Sequence, residues 1–374
     1  MHAGAQFDVA VVGLGVNGAA TAWRLAERGA RVVALDRFAP PHPFGASQGR
    51  TRIIREAYFE GDDYVPLVRR AFDDWRTLEA MTPLPLYRRT GGLTIAPDGG
   101  IIVEQVAAAA ERHGVDIERL NGDELRRAFP GFNFRDDDNG IYEPQAGVLA
   151  AERAVEALLA AGRRLGVDMR LGEAVRSWMP DGSGVCVRTS RGEVRAGILV
   201  LAAGAWLDSL CPVPRPPLEV ERSVIHWFEP SSAELDTATL PVFIEELEGG
   251  ILWYGVPEDG LLKVGYHHGG EVGSPDALRR DVEPDEVRRA RQLLRSLIPE
   301  AAGAHRAAGV CPYTNTPDGH FLIDRHPLQP RVVIVSACSG HGFKFAPVTG
   351  DIAASIALEG DAARVPALFR WRWQ

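Results

Sequence analysis

The N-terminal segment, a strand followed by a glycine-rich turn, a helix and a second strand, restricts the fold of this chain more than any other feature of its sequence. The apolar run Phe7–Val12 leads into the turn GLGVNG at 13–18. Residues 19–27 then place apolar side chains on one helical face, and a second apolar run occupies 31–35. This order predicts a βαβ unit.

Three glycines and one acid in this unit have the spacing of a dinucleotide-binding site. The glycines allow a tight turn and close approach of a pyrophosphate, which then faces the helix N-terminus. The acid follows the last glycine by 18 residues, near the usual offset for a carboxylate that binds a ribose 2′-hydroxyl. The predicted cofactor-binding residues here are Gly13, Gly15, Gly18 and Asp36. The unit alone does not distinguish NAD from FAD.

Pieces of the same fold recur far along the chain, and this separation favours FAD. Residues 151–165 indicate a helix, 175–194 a hairpin, and 198–203 a buried strand that runs into Gly204. Near the C-terminus, an apolar strand over 332–336 precedes a Gly-His-Gly turn at 340–342 and a helix over 348–358.

We therefore predict an α/β (α+β) protein with a discontinuous, Rossmann-like FAD-binding domain. Its segments are residues 1–84, 147–216 and 307–374. Residues 85–146 and 217–306 alternate short apolar runs with Pro, Gly and charged turns. That pattern predicts a second, mostly antiparallel substrate-binding domain.

The composition excludes several classes of partner. A net charge of −9 argues against a nucleic-acid partner and against an anionic membrane surface. The apolar runs are too short to span a membrane, and no secretory signal is recognisable. Four cysteines without CxxC spacing suit a reducing compartment and argue against a Cys-only zinc site. We expect a cytoplasmic protein with no metal, no nucleic-acid partner and no membrane partner.

Lysine is rare in this chain. Of its 41 basic residues, Lys263 and Lys344 are the two lysines and the others are arginine. Against such a bias, a retained lysine indicates a site that needs a compact ammonium with a movable pKa rather than a guanidinium fork.

The chain resembles the monomeric sarcosine oxidase and N-methyltryptophan oxidase family of flavoproteins nearly end to end. The matching stretches are the GLGVNG turn, TRIIREAY at 51–58, GVL at 147–149, GAW at 204–206, LLKVGYHHG at 261–269, GVCPYTNTPDGHFLID at 309–324 and SGHGFKF at 339–345. The last two are the most specific, because they combine several reactive residue types in a fixed order. The resemblance implies FAD, an amino-acid substrate, O₂ as second substrate and a monomer.

A covalent flavin is part of what the resemblance implies. The cysteine of the C-x-Y-T segment, here Cys311, would carry FAD through a thioether, with the thiolate as nucleophile. Cys338 is a rival thiol near the same ring, and a small buried cysteine without reactivity is the alternative for both. Further cofactor contacts are expected from Val175, Gly204, Gly340, Gly342, Phe343 and Lys344.

The same resemblance assigns the substrate site. Arg55 and Lys344 would bind the substrate carboxylate, the first through a planar fork and the second as a point charge. Lys263 would lie near the flavin and promote its reaction with O₂ through a fixed positive charge. Snorkelling of Lys263 to the strand edge is the alternative. Arg52, Tyr254 and His267 match further residues that line the family's active site.

These assignments predict an FAD-dependent oxidase of a small amino acid with a secondary amine, either an N-methyl amino acid such as sarcosine or a cyclic imino acid. A hydride equivalent passes to the flavin, and O₂ is reduced to H₂O₂. The alternatives are a cyclic imino acid oxidase of secondary metabolism, a dehydrogenase with a protein electron acceptor, and a flavin-binding regulator without turnover. Two departures leave the substrate side chain open: Ser47-Gln48 replaces a His-His pair, and Cys338 replaces an aromatic residue.

Overall fold

The computed structural model describes residues 6–232, 234–360 and 365–373. Its helices are α1 (Val16–Glu27), α2 (Tyr64–Glu79), α3 (Ile102–His113), α4 (Gly122–Ala128), α5 (Ala151–Arg164), α6 (Leu207–Leu210), α7 (Pro284–Leu297) and α8 (Ala346–Glu359). Its strands are β1 (Phe7–Val12), β2 (Val32–Asp36), β3 (Thr51–Ile54), β4 (Tyr87–Arg89), β5 (Gly92–Pro97), β6 (Glu118–Asn121), β7 (Asp138–Glu143), β8 (Gly147–Ala150), β9 (Asp168–Leu171), β10 (Val175–Asp181), β11 (Gly184–Thr189), β12 (Glu193–Leu201), β13 (Glu219–Phe228), β14 (Val242–Glu246), β15 (Leu252–Glu258), β16 (Leu261–Tyr266), β17 (His305–Asn315), β18 (Leu322–His326) and β19 (Gln329–Ser336).

The first sheet contains the predicted βαβ unit. Its order is β10-β11-β12-β1-β2-β9, and β19 pairs with β12 and with β18. The neighbours of β1 and β2 are all parallel, and both faces of these strands are buried, one against α1, α5 and α8 and the other mainly against β11. This burial explains their continuous apolar sequences. The helix α1 packs between this sheet and α8, and Gly350 of α8 leaves room for the backbone of Ala20.

The second sheet has the order β17-β13-β16-β15-β14-β5-β7-β6. Every neighbouring pair is antiparallel except β5 and β14. A small third sheet has the order β3-β8-β4. Along the chain, its strands lie between strands of the first sheet and strands of the second. The predicted α/β class with a mostly antiparallel second sheet is confirmed.

The structure differs from the predicted elements in two places. The first helix begins at Val16 rather than at residue 19, because extended Gly15 is the residue that precedes its first turn. Residues 175–194 form β10 and β11 and then continue into β12, so they belong to a three-stranded meander rather than to an isolated hairpin.

The proposed domain division remains a prediction. Strands at 7–36, 168–201 and 322–336 share the first sheet, which supports it. The boundary at 306–307 cuts β17, whose whole length pairs with β13 in the second sheet. Residues 1–5, 233, 361–364 and 374 of the predicted ranges lie outside the described residues. Within the described ranges, no helix combines the length and the apolar character that crossing a membrane requires.

Candidate active site

A cavity runs from the C-terminal end of β1 to the face of the second sheet. It brings together residues that are up to 332 positions apart in the chain, from Val12 to Lys344. Of the predicted site residues, all but Gly18 line it: Gly13, Gly15, Asp36, Arg52, Arg55, Val175, Gly204, Tyr254, Lys263, His267, Cys311, Gly340, Gly342, Phe343 and Lys344.

Two glycines of the turn after β1 lie too close to neighbouring backbone atoms for a side chain to fit. A Cβ at Gly13 would lie 2.4 Å from Ala202 O, and the φ of Gly13 is +92°. A Cβ at Gly18 would lie 1.8 Å from Gly13 O. Gly18 therefore acts behind the cavity wall, where it lets the N-terminus of α1 face the cavity.

Asp36 lies at the end of β2 with its carboxylate held by the backbone. Its two oxygens accept hydrogen bonds from Leu14 N and from Phe38 N, each at 2.7 Å. Burial raises the pKa of Asp36. Because each carboxylate oxygen has two lone pairs, the side chain retains the capacity to accept a further hydrogen bond from a hydroxyl in the cavity.

Two residues of the cavity wall have side-chain hydroxyl groups that lack a hydrogen-bond partner. Thr314 Oγ1 and Ser336 Oγ are buried and have no hydrogen-bond partner among the described residues. A buried hydroxyl without a partner is costly, so a group that fills the cavity would stabilise both. With the glycine cradle and Asp36, these atoms fit a dinucleotide that carries hydroxyl, phosphate and amide groups.

Arg52 organises the loop that closes the cavity beside the first helix. Its guanidinium donates to Ala46 O at 2.8 Å, to Gln48 O at 2.6 Å and to Thr51 O at 2.7 Å. In the same loop, Ser47 Oγ accepts a hydrogen bond from Val16 N at 2.9 Å. Ser47, which stands where the related oxidases have a histidine, thus gives the N-terminus of α1 a hydroxyl partner.

The two cysteines near the predicted flavin site lie on adjacent segments. Cys311 Sγ lies 3.7 Å from Ala46 O, and Cys338 Sγ accepts a hydrogen bond from Thr314 N at 3.3 Å. Burial raises the pKa of Cys311 to about 11, although the charge of Arg52 acts in the opposite direction. Burial also raises the pKa of Cys338. Both thiols are therefore neutral at pH 7 in the protein as described.

Arg55 and Lys344 lie in one corner of the cavity with an acid that the sequence did not single out. Arg55 Nη2 donates to Glu60 Oε2 at 2.6 Å, and its guanidinium lies 4.3 Å from the Tyr58 ring centroid. Burial works against ionisation of Glu60, but Arg55 and the other basic groups nearby lower its pKa to about 2.

Lys344 is held by a hydrogen-bonded chain. Its ammonium donates to His341 O at 2.8 Å and to Tyr58 Oη at 2.9 Å. The phenol in turn lies 2.9 Å from His341 Nδ1, and His341 Nε2 lies 3.1 Å from Gly319 O. Because a carbonyl can only accept, Nε2 carries the proton and Nδ1 accepts from Tyr58. Burial, with Arg55 next, lowers the pKa of Lys344 to about 7.

Lys263 is buried rather than extended to the strand edge, since 2% of its surface is exposed. Its ammonium donates to Thr51 O at 2.7 Å and to Thr51 Oγ1 at 2.5 Å, and Glu258 Oε2 lies 3.8 Å away. Burial and the neighbouring charge of Arg52 lower its pKa to about 7. The rarity of lysine was thus a useful signal, because both lysines are buried in this cavity.

The remaining wall is aromatic and apolar. Burial lowers the pKa of His267 to about 3, which makes its imidazole neutral, and raises the pKa of Tyr254 to about 12. Tyr313 and Phe59 complete this part of the wall. Such a pocket suits a small organic ligand whose charged end meets Arg55 and Lys344.

Sequence reasoning missed three polar residues of this region: Glu60, Thr51 as a partner of Lys263, and Glu258. Glu60 follows the matched TRIIREAY stretch by two positions, and that proximity was an available signal. No comparable signal marked Glu258, whose importance depends on how β15 and β16 pair.

Comparison with known proteins finds similarity over nearly the whole chain. A family model described as FAD dependent oxidoreductase matches residues 8–356. The chain is 37% identical over 371 residues to monomeric sarcosine oxidase from Streptomyces avermitilis, with 97% of this chain and 96% of the relative covered. It is 33% identical over 357 residues to N-methyl-L-tryptophan oxidase from Salmonella arizonae, with 95% of each covered. Among solved structures, a mutant of NikD, an unusual amino acid oxidase essential for nikkomycin biosynthesis, is similar with a TM-score of 0.87 and 26% identity over 97% of this chain and 96% of that one.

Proposed function

We propose a reaction for this chain on the premise that it belongs to the FAD dependent oxidoreductase family. The substrate is a small amino acid with a secondary amine, such as an N-methyl or cyclic amino acid, and the second substrate is O₂. Relatives named for sarcosine and for N-methyl-L-tryptophan support this substrate class. When bound, FAD accepts a hydride equivalent from the carbon next to the nitrogen and returns the electron pair to O₂, which gives an imine and H₂O₂.

One observation carries the proposal: the cavity places two buried cations, Arg55 and Lys344, at one end. A substrate carboxylate would accept the paired N–H groups of Arg55 and a hydrogen bond from Lys344. Glu60 already binds Nη2 of this guanidinium, so a substrate carboxylate competes with Glu60 for Arg55. The carboxylate then fixes which carbon of the substrate faces the rest of the cavity.

The other residues act on protons and charge. The substrate nitrogen must lose its proton before the C–H bond beside it reacts readily. Arg52, Arg55 and Lys263 are cationic groups of the same cavity, and they disfavour a positive charge on that nitrogen. His267, neutral because of its burial, adds no positive charge of its own and can accept or donate a hydrogen bond.

Lys263 and Cys311 have separate roles. The ammonium of Lys263 provides a fixed positive charge for the anion that develops when O₂ is reduced. Cys311 would hold the flavin through a thioether to a methyl carbon of its ring: the thiol S–H bond and one C–H bond of that carbon would break, and the electron pair would pass to the flavin and then to O₂. Cys338 would remain a thiol. The neutral state of Cys311 means that this attachment requires loss of the thiol proton.

The test is a screen for H₂O₂ production by the purified, flavin-loaded protein. Sarcosine, other N-methyl amino acids and cyclic amino acids are compared with the matching primary amino acids and with amines that have no carboxylate. We expect peroxide with secondary amino acids. Turnover of the amines without a carboxylate at equal or higher kcat/KM would contradict the proposed substrate class. Reduction of the flavin by substrate without release of peroxide would indicate a different electron acceptor. We also expect a monomer by light scattering, as the name of the Streptomyces relative indicates for that protein.

A further inference from the structure

We propose that Glu258 is a positioning residue that sets the charge and the direction of the Lys263 ammonium through Thr51. The inference rests on the role proposed above for Lys263 in the reaction with O₂. It concerns residues from three strands, β3, β15 and β16, which meet at the cavity wall.

The hydrogen bonds run in one direction from lysine to carboxylate. Lys263 Nζ donates to Thr51 Oγ1, so the hydroxyl proton of Thr51 is available for another acceptor. Thr51 Oγ1 donates to Glu258 Oε2, and Trp227 Nε1 donates to Glu258 Oε1 at 2.7 Å. Both oxygens of a carboxylate that is 4% exposed are therefore bound and oriented.

The same bonds determine where the ammonium points. An ammonium has three N–H donors. Thr51 takes two of them, through its carbonyl and its hydroxyl oxygen, and Lys263 lines the cavity. The third N–H is left for a group inside the cavity. Fixing two donors in this way orients the third without a further protein contact.

The local fold fixes this arrangement. Asp259 and Gly260 both have positive φ angles and join β15 to β16 as a two-residue turn, which sets the register of the two strands. In that register Lys263 pairs with Val256, so that Glu258, two residues beyond Val256, lies on the same face as Lys263.

Glu258 also acts on the pKa of the Lys263 ammonium. The groups that act on this ammonium are Arg52 from β3, Cys311 from β17 and Glu258 from β15. Burial and Arg52 lower its pKa to about 7, and Glu258, with a smaller effect from Cys311, opposes them. Without that carboxylate the pKa of Lys263 would be lower still, and a smaller fraction of the side chain would carry, at neutral pH, the charge on which the reaction with O₂ depends.

The two-lysine composition makes a direct test possible. Holoenzyme labelled with ¹³Cε-lysine should give two lysine signals, and the one missing in Lys263→Met identifies Lys263. Its pKa is measured by NMR titration in the wild type and in Glu258→Gln. We expect the variant value to be lower by about 1–3 pH units, the usual effect of an opposite charge at this distance.

A second carboxylate serves as a matched control. Glu245 is also buried and accepts a hydrogen bond from an indole, Trp253 Nε1, at 2.5 Å, but it lies outside the cavity. Glu245→Gln should leave the Lys263 titration unchanged. An unchanged pKa in Glu258→Gln, or an equal shift in Glu245→Gln, overturns the proposal.

The second readout is the rate at which the reduced enzyme reacts with O₂ as a function of pH. The rate should fall as Lys263 loses its proton, and the fall should move to lower pH in Glu258→Gln. If the lysine pKa moves and this profile does not, the link between Glu258 and Lys263 stands but the role of Lys263 with O₂ is overturned. Should Glu258→Gln fail to fold, Thr51→Val removes the bridging hydroxyl with little change of shape. Its Lys263 pKa should also fall, and an unchanged value there overturns the proposal.

Discussion

Glu60 Oε2 lies 2.6 Å from Arg55 Nη2, so the arginine proposed to bind the substrate carboxylate already has a carboxylate partner. Both side chains are largely buried, and the charge of Lys344 also lowers the pKa of Glu60. An internal acid of this kind keeps two neighbouring cations together while no ligand is bound. It also competes with any ligand that carries the same group.

Replacing Glu60 by Gln should therefore strengthen the binding of small carboxylates. The competing charge is lost, and a charge-assisted hydrogen bond contributes about 1.5–3 kcal/mol. We expect roughly a tenfold or greater decrease in the Kd of pyrrole-2-carboxylate, measured from the flavin spectrum. The variant should also be less stable to unfolding by about 3–5 kcal/mol, because a buried ion pair loses one partner. Glu56→Gln, which alters an ion pair with Arg69 outside the cavity, is the control. Weaker binding in Glu60→Gln would mean that Glu60 helps to form the site.

The affinity for carboxylates should depend on the protonation of Lys344. Its pKa is lowered to about 7 by burial and by Arg55, so the ammonium is charged below pH 7 and loses its proton above it. Binding needs the charged form. The Kd of pyrrole-2-carboxylate should thus be lowest below pH 7 and rise by up to about tenfold per pH unit above it. In Lys344→Met the Kd should be higher at pH 6 and nearly independent of pH. The same pH dependence in wild type and variant would assign the titration to another group.

Cys311 should hold the flavin covalently, at a rate that depends on pH. Acid-precipitated protein should stay yellow, and Cys311→Ser should release the flavin, whereas Cys338→Ser should retain it. Because burial raises the pKa of Cys311 to about 11, its thiolate fraction increases about tenfold per pH unit near neutrality. Attachment of added FAD to flavin-free protein should therefore be faster at pH 9 than at pH 7. Loss of the colour from precipitated wild-type protein would exclude the thioether.

The sequence predicted those parts of the fold that depend on local patterns. Buried parallel strands such as β1 appear in the sequence as continuous apolar runs, and the glycine turn has a characteristic spacing. The βαβ unit was therefore predicted correctly, with small errors in the bounds of its elements. The three-stranded meander was missed because periodicity does not say where a strand finds its next partner.

The candidate site residues come from motifs, and their roles remain predictions; polar residues outside the motifs were missed. Arg55 and Lys344 are 289 positions apart, and only their matched segments related them before the structure did. Glu60 and Glu258 had no motif to mark them. Their effect follows from distances of 2.6 Å to Arg55 and 3.8 Å to Lys263, which depend on tertiary packing. The rare lysines were informative for a physical reason, since each lies where burial shifts its pKa.

Lys263→Met tests the proposed chemistry of the second half-reaction. Methionine fills a similar volume without charge, and Thr51 and Glu258 would retain their hydrogen bond to each other. A fixed charge at a developing anion contributes roughly 3–4 kcal/mol, so the reaction of the reduced enzyme with O₂ should slow by about 10²–10³-fold. Anaerobic reduction by substrate should fall much less, because Arg55 and Lys344 still hold the carboxylate. Stopped-flow measurement of the two half-reactions separates these effects, and Lys344→Met should show the opposite pattern, with weak substrate binding and near-normal reaction with O₂. Normal reaction with O₂ in Lys263→Met, together with slow reduction by substrate, would place Lys263 in the oxidation of the amine instead.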